Sequence, residues 1–226
     1  MCSYLNYHNG GVCVFPQEHD NETRTLLGVK YYYDTYPEDG IPVPEGFSYL
    51  RTDNGIDVYQ NDSFLGMGFS YDTYLPRSEF DNIVETGENC AEVMLHTLVV
   101  EDEDVALVKD ILKPHQEGYR CQEREFFDKF TMTSDGFSAK IKLNQPEVMF
   151  VSVPYEDQGW IAECNGEELS FIRANIGLLA FRLPAGENEL NFRYQSPVDR
   201  IGRYVTCAGW IVMLIYVMIQ EKKRMN

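Results

Sequence analysis

Over most of its second half the chain alternates apolar and polar residues with a period of two. In "FSAKIKL", Phe137, Ala139, Ile141 and Leu143 share one face while Ser138, Lys140 and Lys142 share the other. That is the pattern of a half-buried strand. "EVMFVSV" is almost continuously apolar, as expected of a central strand. "WIAEC" and "ELSFIRA" flank Asn165-Gly166, a two-residue hairpin signal. "GLLAFRL" and "ENELNFRY" flank "PAGE", and in the second of these Leu190, Phe192 and Tyr194 share a face. Five or six short strands with turns every 8–12 residues or so predict a β-sandwich.

The first half is mixed. "LLGVKYYY", residues 26–33, reads as a strand. "YPEDGIPVPEG" is a Pro/Gly loop, and "GFSYLRTDNGIDVYQN" reads as two short strands around Asp53-Asn54-Gly55. After Pro76 the chain is rich in helix formers. Ser78 is placed to cap a short helix over "SEFDNIV". Val105, Val108, Ile111 and Leu112 recur at helical spacing behind the acidic start Glu101–Asp104, and Pro114 ends that stretch. The region 78–115 is therefore expected to be a helical insertion in a mainly β, jelly-roll or carbohydrate-module-like sandwich spanning 26–200, with 1–25 a partial N-terminal segment.

From Tyr204 to Gln220 the pattern disappears. "YVTCAGWIVMLIYVMIQ" carries no charge over 17 residues. As a helix it reaches roughly 25 Å at about 1.5 Å per residue, near the short end for a bilayer span. Tyr204 and Tyr216 sit towards its ends, where interfacial aromatics belong. Lys222, Lys223 and Arg224 follow and favour a cytoplasmic C-terminus for 221–226, against Arg200 and Arg203 on the other flank. The alternative is a buried helix or two core strands. A spanning segment at 204–220 makes the bilayer a partner and places residues 1–203 outside the cell membrane. The start, "MCSYLNYHNGG", has neither the basic residues nor the apolar run of a secretory leader.

Charge narrows the partners. The chain carries a formal −17, and residues 1–200 alone carry −20. Such a surface repels phosphate, so no nucleic acid is expected as a partner. The six cysteines include no C-x-x-C pair and the four histidines show no metal spacing, so no metal and no cofactor are expected. His96 falls on an apolar helical face and is read as a packed core histidine. Walker, G-x-G-x-x-G and G-x-S-x-G patterns are absent, so no catalytic residue is assigned.

The order of motifs carries one resemblance. "LLGVKYYY", "DVYQNDSFLGMGFSYDTYL", "LHTLVVEDE", "VPYEDQGWIAECNGEEL", "LLAFRLPAGENELNFRYQSP" and a terminal apolar helix follow one another. The set resembles the C-terminal extracytoplasmic region and last membrane helix of the YfhO-type bacterial membrane proteins, from about Leu26 onwards. The resemblance implies a parent with many membrane helices and a glycosyltransferase fold that uses polyprenyl-phosphate sugars on cell-envelope polymers. Its transfer chemistry would belong to membrane-embedded loops, which this chain lacks. A truncated reading frame or one piece of a split system is expected.

The stretch 153–171 packs acids, a Trp and a turn together. Trp160 reads most simply as a core residue. Its functional alternative is a sugar-stacking ledge with Tyr155 and Asp157 beside it. Asp72 in "SYDTYLP" is the other candidate for ligand binding, against an Asx-turn. A glycosidase needs two carboxylates facing across a cleft, and no spacing here singles out a pair. The function expected is a membrane-anchored, non-catalytic accessory module of a glycosyltransferase system, binding envelope glycan or packing on a multi-helix membrane protein. The alternatives are the lid of a glycosyltransferase completed in trans, or a structural remnant without a ligand.

Overall fold

The apolar run at 147–154 owes its composition to its place between two layers. In the computed structural model, which describes residues 8–9, 14–15, 20–40, 42–121, 123–156 and 158–225, strand Glu147–Pro154 belongs to a seven-stranded sheet. The order is Gly68–Tyr71, Glu147–Pro154, Leu178–Leu183, Phe171–Ala174, Leu98–Val100, Thr73–Pro76 and Lys113–Pro114. Pairing is antiparallel through Leu98–Val100 and parallel for the last two neighbours. Val148 and Phe150 enter a core shared with the helices, while Met149 and Val151 enter a core shared with a second sheet. All four side chains are fully buried, each worth on the order of 1.5–3 kcal/mol. Neither face has room for a polar residue, so the alternation vanishes.

The second sheet has five antiparallel strands in the order Lys129–Met132, Gly136–Leu143, Gly186–Tyr194, Trp160–Cys164 and Glu167–Glu168. Here alternation is strict because one face meets water. Phe137, Ile141, Leu190 and Phe192 point at Met149, Leu179 and Phe181 of the larger sheet. Phe137 lies opposite Phe192 in the register, and their rings stack with centroids 4.2 Å apart. On the wet face Lys140 lies opposite Glu189, 2.9 Å away. The chain passes repeatedly from sheet to sheet, so "PAGE" is an arch between layers. A third, three-stranded sheet runs Tyr31–Asp34, Ile56–Asn61, Phe47–Asp53. Asn54 and Gly55 (φ 52° and 82°) and Asn165 and Gly166 (φ 53° and 85°) make the two expected tight turns, both central residues being left-handed.

The protein is mainly β, with a helical part and a C-terminal apolar helix, as its pattern predicts. Three local expectations need correction. Residues 26–33 are not one strand. Asn21–Leu26 is a helix capped by Asp20, whose carboxylate accepts from the Thr23 backbone N–H (3.0 Å) and hydroxyl (2.6 Å). Gly28 (φ +69°) turns the chain, and the strand begins at Tyr31. Ser78 does not cap a helix; it lies inside helix Arg77–Glu85 and donates its N–H and hydroxyl to Asp102 Oδ1 at 3.1 and 3.0 Å. The cap thus comes from 24 residues along the chain. The stretch from Val105 is a 3₁₀ turn, Asp102–Leu107, followed by irregular turns. Arg182 clamps it by bonding the Leu107 carbonyl (2.9 Å) and both Asp110 oxygens (3.1 and 2.6 Å). The helical spacing there records a buried side, with Val108 and Leu112 inside, rather than an α-helix. Strands Leu98–Val100 and Lys113–Pro114 arise within this same region and extend the larger sheet.

Helix Pro197–Met225 has 29 residues. The most apolar 18-residue window of its segment Ile201–Arg224 has a mean hydropathy of 1.6, and none of that window is covered by protein. At about 1.5 Å per residue those 24 residues reach about 36 Å, enough to cross a hydrocarbon core. In the structure this segment is neither a buried helix nor core strands.

Candidate functional site

The hairpin of Trp160–Cys164 and Glu167–Glu168 packs through its first residue. Trp160 opens strand Trp160–Cys164 opposite Tyr194. Its indole N–H donates to the Pro154 carbonyl at 3.0 Å. Its ring meets Tyr194 (5.2 Å) and Phe137 (6.0 Å) edge-on, half-buried against the inter-sheet core. Tyr155 is half-buried, and its backbone N–H donates to Gly177 (2.9 Å). The Tyr194 hydroxyl donates to Glu156 Oε2 at 2.5 Å, a bond that raises the Tyr194 pKa. A Cβ on Gly159 would fall 2.4 Å from the Tyr194 ring, so the loop lies directly on that ring. Asp157 lies outside the described residues. The Trp160 N–H and ring both have partners within the protein.

Asp72 is elsewhere. It links strands Gly68–Tyr71 and Thr73–Pro76 and lines a cleft of about 780 Å³ that neither Trp160 nor Tyr155 borders. Tyr119, Glu123, Arg124 and Glu125 form one wall, and Gln145 and Glu147 another. The Tyr119 hydroxyl donates to Asp72 Oδ2. This bond, aided by burial, holds the phenol protonated up to about 12. Burial likewise pushes the neighbouring Cys121 thiol up to about 11. The Arg124 guanidinium lies over Phe69 (4.5 Å) and Tyr71 (5.3 Å) and donates to the Leu95 carbonyl. Stacking and hydrogen bonding together fix its guanidinium. The Ser70 N–H donates to the Glu125 carbonyl and the Glu125 N–H donates to the Ser70 hydroxyl, both at 2.9 Å, which ties Glu125 to the sheet edge.

Two smaller cavities, about 480 and 350 Å³, adjoin the cleft through shared residues. Tyr119 borders the first, Arg124 the second, and His96 and Arg120 both. His96 is therefore not the packed core histidine expected from its spacing; it is half-exposed, with Nε2 3.3 Å from Arg120. Burial and then the Arg124 and Arg120 charges lower its pKa. Among the described residues, the buried side-chain polar atoms without a hydrogen-bond partner are Asn21 Oδ1, Asp72 Oδ1, His96 Nδ1 and Arg124 Nη1. All four residues border these three cavities. Each such atom costs about 1–3 kcal/mol when left unmatched. Among the described residues no group of three His, Cys, Asp or Glu is placed to hold a metal.

Tyr119, Arg120 and Arg124 were not singled out by sequence reasoning. The available signal was "GYRCQEREFF", two arginines among aromatics directly after 118 residues that carry a net −16.

The first of these arginines also opens the match to known proteins. Residues 120–206 match a family model described as "Bacterial membrane protein YfhO". Over those residues the chain resembles the YfhO type. The matched segment holds the five-stranded sheet, three strands of the larger sheet, and the first turns of the terminal helix. Over 114 residues the chain is 19% identical to the "Uncharacterized protein YfhO" of Bacillus subtilis (strain 168). That alignment covers 50% of this chain and 13% of the relative's length. No solved structure matches. The YfhO match and an uncovered apolar helix together support a membrane-anchored protein.

Proposed function

We propose that the chain is a non-catalytic recognition module, held on the outer face of the cell membrane by its terminal helix, that presents envelope glycan to a glycosyltransferase system. The observation that carries this reading is the contrast between body and helix. The β body closes two cores of its own, while the apolar helix leaves it without any covering. A helix apolar on all sides and absent from the core serves as a tether. Lys222, Lys223 and Arg224 directly after the apolar run favour a cytoplasmic end, which puts a body of charge −20 outside. The cleft supports recognition over chemistry. Tyr119 and Cys121 are both held in their protonated forms, so neither is poised as a nucleophile.

Topology is the test. A green fluorescent protein fused after Asn226 should fluoresce in intact cells, and protease added to spheroplasts should digest the body while sparing the fusion. A protected body would reverse the orientation and overturn the reading. The purified chain in nanodiscs should also bind cell-envelope glycan without consuming polyprenyl-phosphate sugar. Turnover by the chain alone would favour a transferase.

A further inference from the structure

We infer that the end of the five-stranded sheet from which the helix leaves rests on the membrane surface, with Met132, Trp160, Ile161 and Tyr194 lodged among zwitterionic lipid headgroups. The inference rests on the membrane anchoring proposed above and adds one face of the body to it. Helix length sets the height. A hydrocarbon core of about 30 Å takes about 20 helical residues, and the uncharged run 204–220 supplies 17. The charges Glu221, Lys222, Lys223 and Arg224 close its far end, so the shortfall is met from 201–203, with Arg203 reaching outward along its flexible stem. Helix Pro197–Met225 begins one turn before Ile201, about 6 Å further out. The headgroup layer is itself about 5–8 Å deep on each side. Only Gln195 and Ser196 join the helix to Tyr194, and the Gln195 N–H is bonded to the Gly159 carbonyl at 2.8 Å. The sheet end is therefore held at the headgroups.

What the sheet presents there suits that layer. The register sets Trp160 opposite Tyr194, Ile161 opposite Arg193, and Met132 opposite Phe137, which in turn faces Phe192. All four lie in the last three cross-strand rows, within about 10 Å of the sheet's end. Met132, Ile161 and Tyr194 are 64%, 43% and 38% exposed, and Trp160 is half-buried. Apolar side chains scattered singly need no partner; these gather where the tether leaves. Tyr and Trp, apolar rings with one polar tip, are the residues that bilayer interfaces collect. Among the described side chains at this end, Arg193 and Arg203 stand against Asp135, Glu156 and Asp199. No positive excess draws anionic lipid, so apolar contact makes the attachment.

The experiment places the full chain, with isotope-labelled Met and Ile methyl groups, in phosphatidylcholine nanodiscs that carry a nitroxide on some headgroups. Ile141 is the internal reference, because it lies five residues, about 17 Å, along its strand from the row that holds Ile161. The Met132 and Ile161 methyl signals should broaden at least twofold more than that of Ile141. Ile161→Asp should at least halve the broadening of Met132, and Met132→Asp that of Ile161; both side chains are exposed, and circular dichroism checks that each variant is folded. Equal broadening of Ile141 in the parent overturns the inference. So does undiminished broadening in both folded aspartate variants, which would mean nearness without contact. Trp210, inside the span, separates the failures. If brominated acyl chains quench its fluorescence in a Trp160→Phe chain while the sheet end stays unbroadened, the contact falls and the tether stands. An unquenched Trp210 defeats both.

Discussion

At the scale of single residues, Tyr119 and Trp160 illustrate two opposite uses of an aromatic with a polar tip. The Tyr119 phenol is held by Asp72, which raises its pKa to about 12. Because the folded state binds this proton more tightly than the unfolded chain does, the contribution to stability is complete below pH 10 or so. It fades as pH rises through about 12. In Asp72→Asn, one tyrosine should ionise nearer the ordinary value of about 10, read as tyrosinate absorbance during an alkaline titration. An unchanged titration would deny the contact. Trp160 spends its N–H on Pro154 and its ring on Phe137 and Tyr194. Trp160→Ala should therefore cost about 2–3 kcal/mol, somewhat below the cost of emptying a fully buried aromatic site. Trp160→Phe should cost about 1 kcal/mol through the lost hydrogen bond. Chemical denaturation measures both. A neutral Trp160→Ala would return this residue to the role of an exposed sugar ledge.

Elements differ in how openly their causes are written in the chain. Gly136–Leu143 and the turns at Asn54-Gly55 and Asn165-Gly166 are legible because the forces that set them act between near neighbours: a pleat with one wet face, and a left-handed turn that Asn and Gly tolerate. The helix Asn21–Leu26 and the 3₁₀ turn Asp102–Leu107 are less so. One hides polar residues behind a capping Asp20; the other gains its shape from Arg182, more than seventy residues away. The cleft was hidden for the same reason. Asp72 was visible as an acid in a turn, but its partners Tyr119 and Arg124 meet it only through the sheet edge. Two glycines separate local from distant causes experimentally. Gly166 (φ +85°) has open space around a would-be Cβ, so Gly166→Ala should cost about 1 kcal/mol from backbone strain alone. At Gly136 a Cβ would fall 2.0 Å from the Phe192 carbonyl oxygen across the sheet. Gly136→Ala should cost on the order of 3 kcal/mol, because backbone must move. Thermal unfolding of the pair should rank them in that order; the reverse would contradict the Gly136–Arg193 register.

The whole molecule joins a strongly acidic, self-sufficient body to a helix with no wet face. Ile201, Tyr204, Trp210, Leu214, Val217 and Met218 point in different directions around the helix, yet each is at least 42% exposed. Water would have to cover all of them at once, which a soluble protein avoids. The body depends on none of them. Its last anchoring contact before the helix is the Gln195 N–H on the Gly159 carbonyl at 2.8 Å. Ending the chain after Ser196 keeps that contact and both cores, and leaves a surface whose negative charge opposes self-association. The truncated protein should therefore stay in the aqueous phase of a detergent partition and unfold in one cooperative step, within about 1 kcal/mol of the full chain measured in detergent. The full chain should enter the detergent phase. If the truncated body instead aggregates or melts without cooperativity, the helix lies against it as part of the fold, and the division into module and tether fails.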